Sequence, residues 1–184
     1  MRLMAALIAA LSLVPAARAR EVAGVAVPDQ IDVGGKTLPL NGAGVRKRFV
    51  VKVYVGALYL ESRSSDADAI VSSDQARVVR MSFLRDVDRE TVIRAFHEGF
   101  EHNSKAEAGA LIAKLADVEK ALPAEIKKGQ VLVVAYAPGA GTTLSVEGGG
   151  SALVEGKPFA DGLLRNWLGR HPADESLREA MLGK

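Results

Sequence analysis

The residues of this chain best suited to chemistry stand close together: Arg46, Lys52 and Tyr54, in the stretch LNGAGVRKRFVVKVYVGALYLE from Leu40 to Glu61. Arg46 follows Gly42 and Gly44 and enters a long apolar, β-prone run. Polar groups inside such a run must find partners or meet a ligand, since an unpaired one costs about 1–3 kcal/mol. The planar fork of an arginine suits a carboxylate or a phenolate oxygen. Lys52 precedes Tyr54 by two, so regular alternation sets them on one face of a strand. With Arg46 beside them they would form an anion-receiving corner. A blander reading stays open for each: a strand-edge arginine paired with an acid, a snorkelling lysine, a core tyrosine with a satisfied hydroxyl. Arg48 is the rival to Arg46.

Other chemistries find no support. The Gly42–Gly44 pair lacks the third glycine of a dinucleotide loop, because position 47 is Lys47. No P-loop, GxSxG or HExxH motif occurs. His97 and His102 are five apart on one expected helix, a poor spacing for a metal pair, and read as solvated. Asp86, Asp88 and Glu90 surround a helix start and read as capping and dipole partners. No cofactor and no metal is expected.

The first nineteen residues look like an export signal: Arg2, an apolar stretch Leu3–Val14, and the small-x-small site Ala17-Arg18-Ala19. Cleavage after Ala19 would leave Arg20 first and place the protein in the periplasm. The stretch is too short for a permanent membrane span. Removing it takes away Arg2 and Arg18 and no acid, so 24 basic residues against 22 acidic become balanced. A neutral chain without a basic cluster is a poor nucleic-acid binder. With no cysteine there are no disulfides, and the fold must stand on its core. Residues 20–184 suffice for one domain.

The elements that would position these residues follow from pattern. Asp32–Lys36 reads as a Gly-Gly hairpin. Arg77–Phe83 is a strand. Asp88 is an N-cap, followed by Val92, Ile93, Phe96 and Phe100 at helical spacing. One further helix runs from about Lys105 to Leu122, before Pro123. Val131–Ala137 and Thr142–Val146 flank a Pro-Gly-Ala-Gly turn. Phe159–Trp167 and Asp174–Leu182 are short helices. The order predicts an α+β fold, an antiparallel open-faced β-sheet with helices layered on one face. A cleft between those layers is a common place for a small apolar ligand. Its wall would come from Val53, Val55, Phe96 and Phe100.

GAGVR with KVYVGALYLE resembles the first core strands of the chalcone isomerase-like family, in its bacterial branch. MSFLRDVDRETVIRAFHEGFEHN resembles that family's central strand and long helix, GQVLVVAYAPGAGTTLSVEG its late hairpin, and GKPFADGLLRNWLGRHPADESLREAMLG its closing helical pair. The resemblance implies that Arg46 is the arginine that holds an oxyanion. It also sets Tyr54 where the plant enzymes carry a catalytic threonine, and leaves no tyrosine in His102–Ala106, where they carry a catalytic one. Some plant relatives bind fatty acids through the equivalent arginine and a tyrosine. The expectation is therefore a non-catalytic binder of a small apolar or amphipathic acid, such as a fatty or aromatic acid. The alternatives are a chalcone-to-flavanone type isomerase, and an accessory protein whose pocket is closed by Tyr54, Phe49 and Trp167.

Overall fold

The computed structural model describes residues 19–184. The expected leader lies outside the described residues except for Ala19, which opens the first strand. In chain order come β1 (Ala19–Val22), β2 (Val25–Pro28), β3 (Gln30–Val33), β4 (Lys36–Arg48), β5 (Val51–Leu60), α1 (Ala67–Ser72) and β6 (Arg77–Phe83). Then follow β7 (Val87–Asp88), α2 (Arg89–Asn103), α3 (Ala108–Ala113), α4 (Leu115–Ala121), β8 (Glu125–Ile126), β9 (Val131–Ala137), β10 (Gly141–Val146), β11 (Ser151–Val154), α5 (Lys157–Leu168) and α6 (Glu175–Met181). The main sheet is antiparallel, with seven strands in the order β11-β10-β9-β6-β5-β4-β3. The fold is α+β, as expected.

Helices cover one face of the sheet. Leu58, Leu60, Val79, Met81 and Leu132 meet Phe96 and Phe100 of α2 and Phe159, Leu163 and Trp167 of α5 in the main core. Phe100 and Phe159 pack with ring centroids 5.8 Å apart. Asp88 starts α2 as expected, its side chain accepting from Thr91 N at 2.6 Å. The opposite face is not bare. Val27 joins Leu38, Leu40, Val55, Ala57 and Tyr59 in a second apolar cluster, so the β1–β2 hairpin covers part of it. Thus Val53–Leu60, eight residues in a row, are all buried. A strand buried on both faces reads as a continuous apolar run.

Two differences from the sequence reading bear on the site. Leu40–Glu61 is a hairpin rather than one run: β4 and β5 pair from Leu40↔Tyr59 to Arg48↔Val51, and Phe49-Val50 form the turn. Phe49 takes a φ of 56° there. A bulky residue in that left-handed region costs about 1–2 kcal/mol. The expected helix after Lys105 is two helices, broken at Lys114, whose N–H turns back to Leu111 O at 3.2 Å.

Gly42 and Gly44 exist for α6. A Cβ at Gly42 would lie 2.0 Å from Ala180 O, and one at Gly44 2.6 Å from Ala180 Cβ. Gly56, paired with Gly44 across the hairpin, leaves room for Leu177 in the same way. Asn41 sits at a bulge between Leu40 and Gly42. Its amide donates to Met181 O (2.8 Å) and Ser64 O (2.9 Å), which pins the end of α6 to β4. Gly42→Ala should therefore cost about 1–3 kcal/mol by forced displacement of α6. Gly109→Ala, in α3 with nothing within 4 Å of the new methyl, should be neutral or stabilising. Urea unfolding of both variants checks this; equal stabilities would refute the close-approach role.

Candidate functional site

A second bulge in the β4–β5 pair builds the site. Arg46 pairs with Tyr54, but the next pair is Lys47↔Lys52, so Val53 is an extra residue on β5. A bulge of this kind breaks the two-residue alternation of side chains. Arg46 and Tyr54 share the helix-covered face, with Arg46 Cζ 5.7 Å from the Tyr54 ring centroid. Lys52 is carried with Lys47 to the other side and is exposed. The structure thus does not bring Lys52 into the corner that regular spacing suggests.

A cavity of about 190 Å³ opens between this part of the sheet and helices α2 and α5. Its apolar wall is Val53, Tyr54, Met81, Phe83, Val92, Phe96 and Trp167. Of the residues expected in the wall, Val53 and Phe96 are present. Val55 faces the second cluster, because it lies on the regular side of the bulge, and Phe100 is spent against Phe159. Arg46 and Arg48 both line the cavity, Arg46 half-buried and Arg48 exposed. Arg94 and Glu98, exposed on α2, stand at the mouth. Asn166 of α5 lines it as well, its amide lying where a Cβ at Gly99 would be. Sequence reasoning missed Arg94 and Asn166. Both fall on the inward or rim side of helices whose facing was not fixed by periodicity alone. Phe49 is no part of a closed pocket; it stands 93% exposed at the hairpin tip.

The polar groups here are only partly used. Trp167 Nε1 donates to Tyr54 Oη at 2.9 Å. The tyrosine's own proton meets no acceptor among the described residues. Burial first, moderated by the positive charge of Arg46, holds the Tyr54 hydroxyl above its ordinary pKa, so it is a neutral donor. Arg46 Nε is buried without a hydrogen-bond partner, and its guanidinium makes no ion pair with a described acid. Most buried polar groups in proteins are paired. Arg46 and Tyr54 both line the cavity and each keeps an unspent donor, which suits an oxyanion whose remainder is apolar.

The second half of α2 leads away from this site. His97 lies beside Glu101 at 3.6 Å, and His102 lies near His171 with rings 6.3 Å apart. Asn103 ends the helix, accepting from His171 N and donating to His171 O, both at 2.9 Å. No residue of His102–Ala106 lines the cavity.

With this geometry in view, the chain can be placed. The family model described as chalcone isomerase-like matches residues 19–183, and the protein belongs to that family. Its structure is similar to that of a fatty-acid-binding protein of Arabidopsis thaliana. The TM-score is 0.65 at 15% sequence identity, over 91% of this chain and 96% of that one. At that identity the likeness shows the fold. No curated protein sequence matches the chain.

All three tyrosines resist ionisation. Burial raises Tyr59, which donates to Pro28 O at 2.9 Å, to about 12. Burial and a hydrogen bond to Asp74 raise Tyr136 to about 12. A raised pKa means that between about pH 10 and 12 the unfolded chain has lost protons the folded one keeps, so stability falls with rising pH. Tyrosinate absorbance of the folded protein should stay low past pH 10, while urea midpoints decline above it. Ordinary tyrosine titration near pH 10 in the folded state would contradict the burial of these hydroxyls.

Proposed function

We propose that this protein is a non-catalytic binder of a small amphipathic acid, held with its carboxylate at Arg46 and its apolar part in the cavity. The observation that carries the reading is the pair of unspent donors, Arg46 Nε and the Tyr54 hydroxyl, at one apolar-walled cavity. The fatty-acid-binding protein of the same fold supports the ligand class. The volume narrows it. An apolar cavity of about 150 Å³ holds a single benzene ring, so about 190 Å³ suits a one-ring aromatic acid or a short acyl chain. A long acyl chain requires the gap between β5 and α2 to widen.

Enzymatic ring closure is the weaker reading. It needs a deprotonated nucleophile and stabilisation of the enolate that develops. Arg46 and Tyr54 could receive the enolate oxygen, but of the other polar residues lining the cavity, the Thr91 hydroxyl already donates to Asp88 at 2.9 Å and Glu98 stands exposed at the mouth, so neither is buried beside Arg46 to order a phenolate.

Trp167, the chain's single tryptophan, lies in the cavity wall and reports on ligand entry through its fluorescence. Titration with a panel of acids should give saturable binding. A charge-assisted hydrogen bond contributes about 1.5–3 kcal/mol net, so Arg46→Ala should weaken binding about ten- to a hundredfold. Arg48→Ala, at the rim, should have a smaller effect. No binding by the unmodified protein, or loss only in Arg48→Ala, would refute the assignment. A chalcone cyclisation rate far above the spontaneous one, lost in Arg46→Ala, would establish the enzyme instead.

The proposed place of action is the periplasm, supported by the Ala17-Arg18-Ala19 pattern after an apolar stretch. N-terminal sequencing should find Arg20 first; a retained Met1 would overturn it.

A further inference from the structure

We propose that the tip of the β4–β5 hairpin docks on an anionic lipid surface. Three observations meet at this tip. Phe49 and Val50, the two turn residues, are 93% and 92% exposed, and Val51 is 41% exposed. Apolar side chains this exposed at adjacent positions mark an interaction site more often than a lone exposed residue does. The flanking residues Arg46, Lys47, Arg48 and Lys52 are all cationic, and no acid occurs between Asp32 and Glu61. The neutral total of residues 20–184 hides this concentration, and the expectation that the chain has no basic cluster fails at this tip. None of the four makes an ion pair with a described acid. Asp174, whose carboxylate reaches β4, accepts the Lys47 backbone N–H at 2.8 Å and the Leu177 N–H at 3.0 Å, so its oxygens are engaged at the start of α6.

The backbone makes the presentation specific. Two-residue hairpins need left-handed residues at the turn, and glycine, asparagine or aspartate is the usual choice. Here phenylalanine occupies such a position, with a φ of 56°. A turn that only had to close the hairpin would not place its bulkiest apolar side chain there and point it at solvent.

Charge selects the occupant. A second copy of this tip would set cations against cations. An anionic bilayer offers what the tip lacks: negative headgroups for the exposed Lys47, Arg48 and Lys52, and an acyl boundary for Phe49 and Val50. One short apolar wedge or one basic patch alone binds membranes weakly, and the two together give reversible attachment. The cavity mouth, with Arg48, opens at the same end, so a docked tip would bring it near the lipid. The inference does not rest on what the cavity binds.

The test is sedimentation of the protein with two kinds of vesicle, phosphatidylcholine alone and phosphatidylcholine with roughly one-third phosphatidylglycerol. The unmodified protein and every variant are produced as the same chain, so any contribution of residues 1–18 is common to all of them. The unmodified protein should bind the anionic vesicles and not the neutral ones. Binding should be lost at about 1 M salt, where the screening length is about 3 Å. Phe49→Ser with Val50→Ser should lower partition at least about tenfold, while the melting temperature and the acid titration stay as they were. Lys47→Ala with Lys52→Ala should lower it as well and flatten the salt dependence. Phe49→Trp should keep binding and shift its emission to the blue on anionic vesicles. Equal partition of the serine variant and the unmodified protein would overturn the proposal. So would no anionic-vesicle binding, or self-association or capture of a protein partner that the serine variant loses without any vesicle binding.

Discussion

The burial of β5 on both faces is the constraint that organises this molecule. Val53–Leu60 have no solvent side, so the chain must supply a cover above and below. Helices α2, α5 and α6 form one cover and the β1–β2 hairpin part of the other. Tyr54 and Tyr59 point to opposite sides, and each sends its hydroxyl to the layer that covers it: Tyr54 to Trp167 of α5, Tyr59 to Pro28 O of β2. These two bonds let polar atoms sit inside an apolar strand at little cost, because an unmade bond there would cost more than the made one gains. They also fix the register of each cover relative to the sheet.

The same economy explains where the cavity lies. Packing of α6 on β4 is tight, with Gly42, Gly44 and Gly56 removing side chains so that Ala180 and Leu177 can reach the backbone. Closer to the hairpin turn the bulge at Val53 interrupts the ladder, and there a cavity opens between the sheet and the helix layer. The gap that results is lined by aromatic rings from both layers and receives the Arg46 side chain. Tight packing at one end of the hairpin and a gap at the other follow from two irregularities, at Asn41 and at Val53, in a single pair of strands. A binding site placed at such a gap is held by a rigid scaffold on either side of it, which keeps Arg46 and Tyr54 in fixed relation without a ligand.

A buried ion pair supports the far side. Arg77 is 3% exposed and reaches Asp161 of α5 at 2.5 Å while its guanidinium stacks over the Tyr136 ring, 4.8 Å from the centroid. It also donates to three carbonyls at the end of α1 (Ile70, Val71 and Ser73). The contrast with Arg46 is instructive. Both arginines leave a strand toward the helix layer, but one has both terminal guanidinium nitrogens engaged and the other makes no side-chain hydrogen bond to a described residue. Pairs of this buried kind lock an arrangement more than they stabilise it; an arginine left without partners is available to a ligand.

Much of this was legible in the sequence. Apolar periodicity, the Asp88 cap, the Gly34-Gly35 turn and the Pro138–Gly141 turn give the elements and their order, since these are local signals carried by neighbouring residues. The α+β class followed from that order, and Arg46 and Tyr54 stood out as polar groups beside or inside an apolar run. The sequence could not say on which face each residue lies once the ladder is irregular. The bulge at Val53 reverses the side taken by Lys52, and nothing in VRKRFVVKVY marks it. Nor could composition show that Gly42 and Gly44 make room for a helix more than a hundred residues away, or that Phe49 and Val50, inside the basic run Arg46–Lys52, stand bare at a turn. Register, facing and close approach depend on contacts between distant segments, and those only the tertiary structure decides.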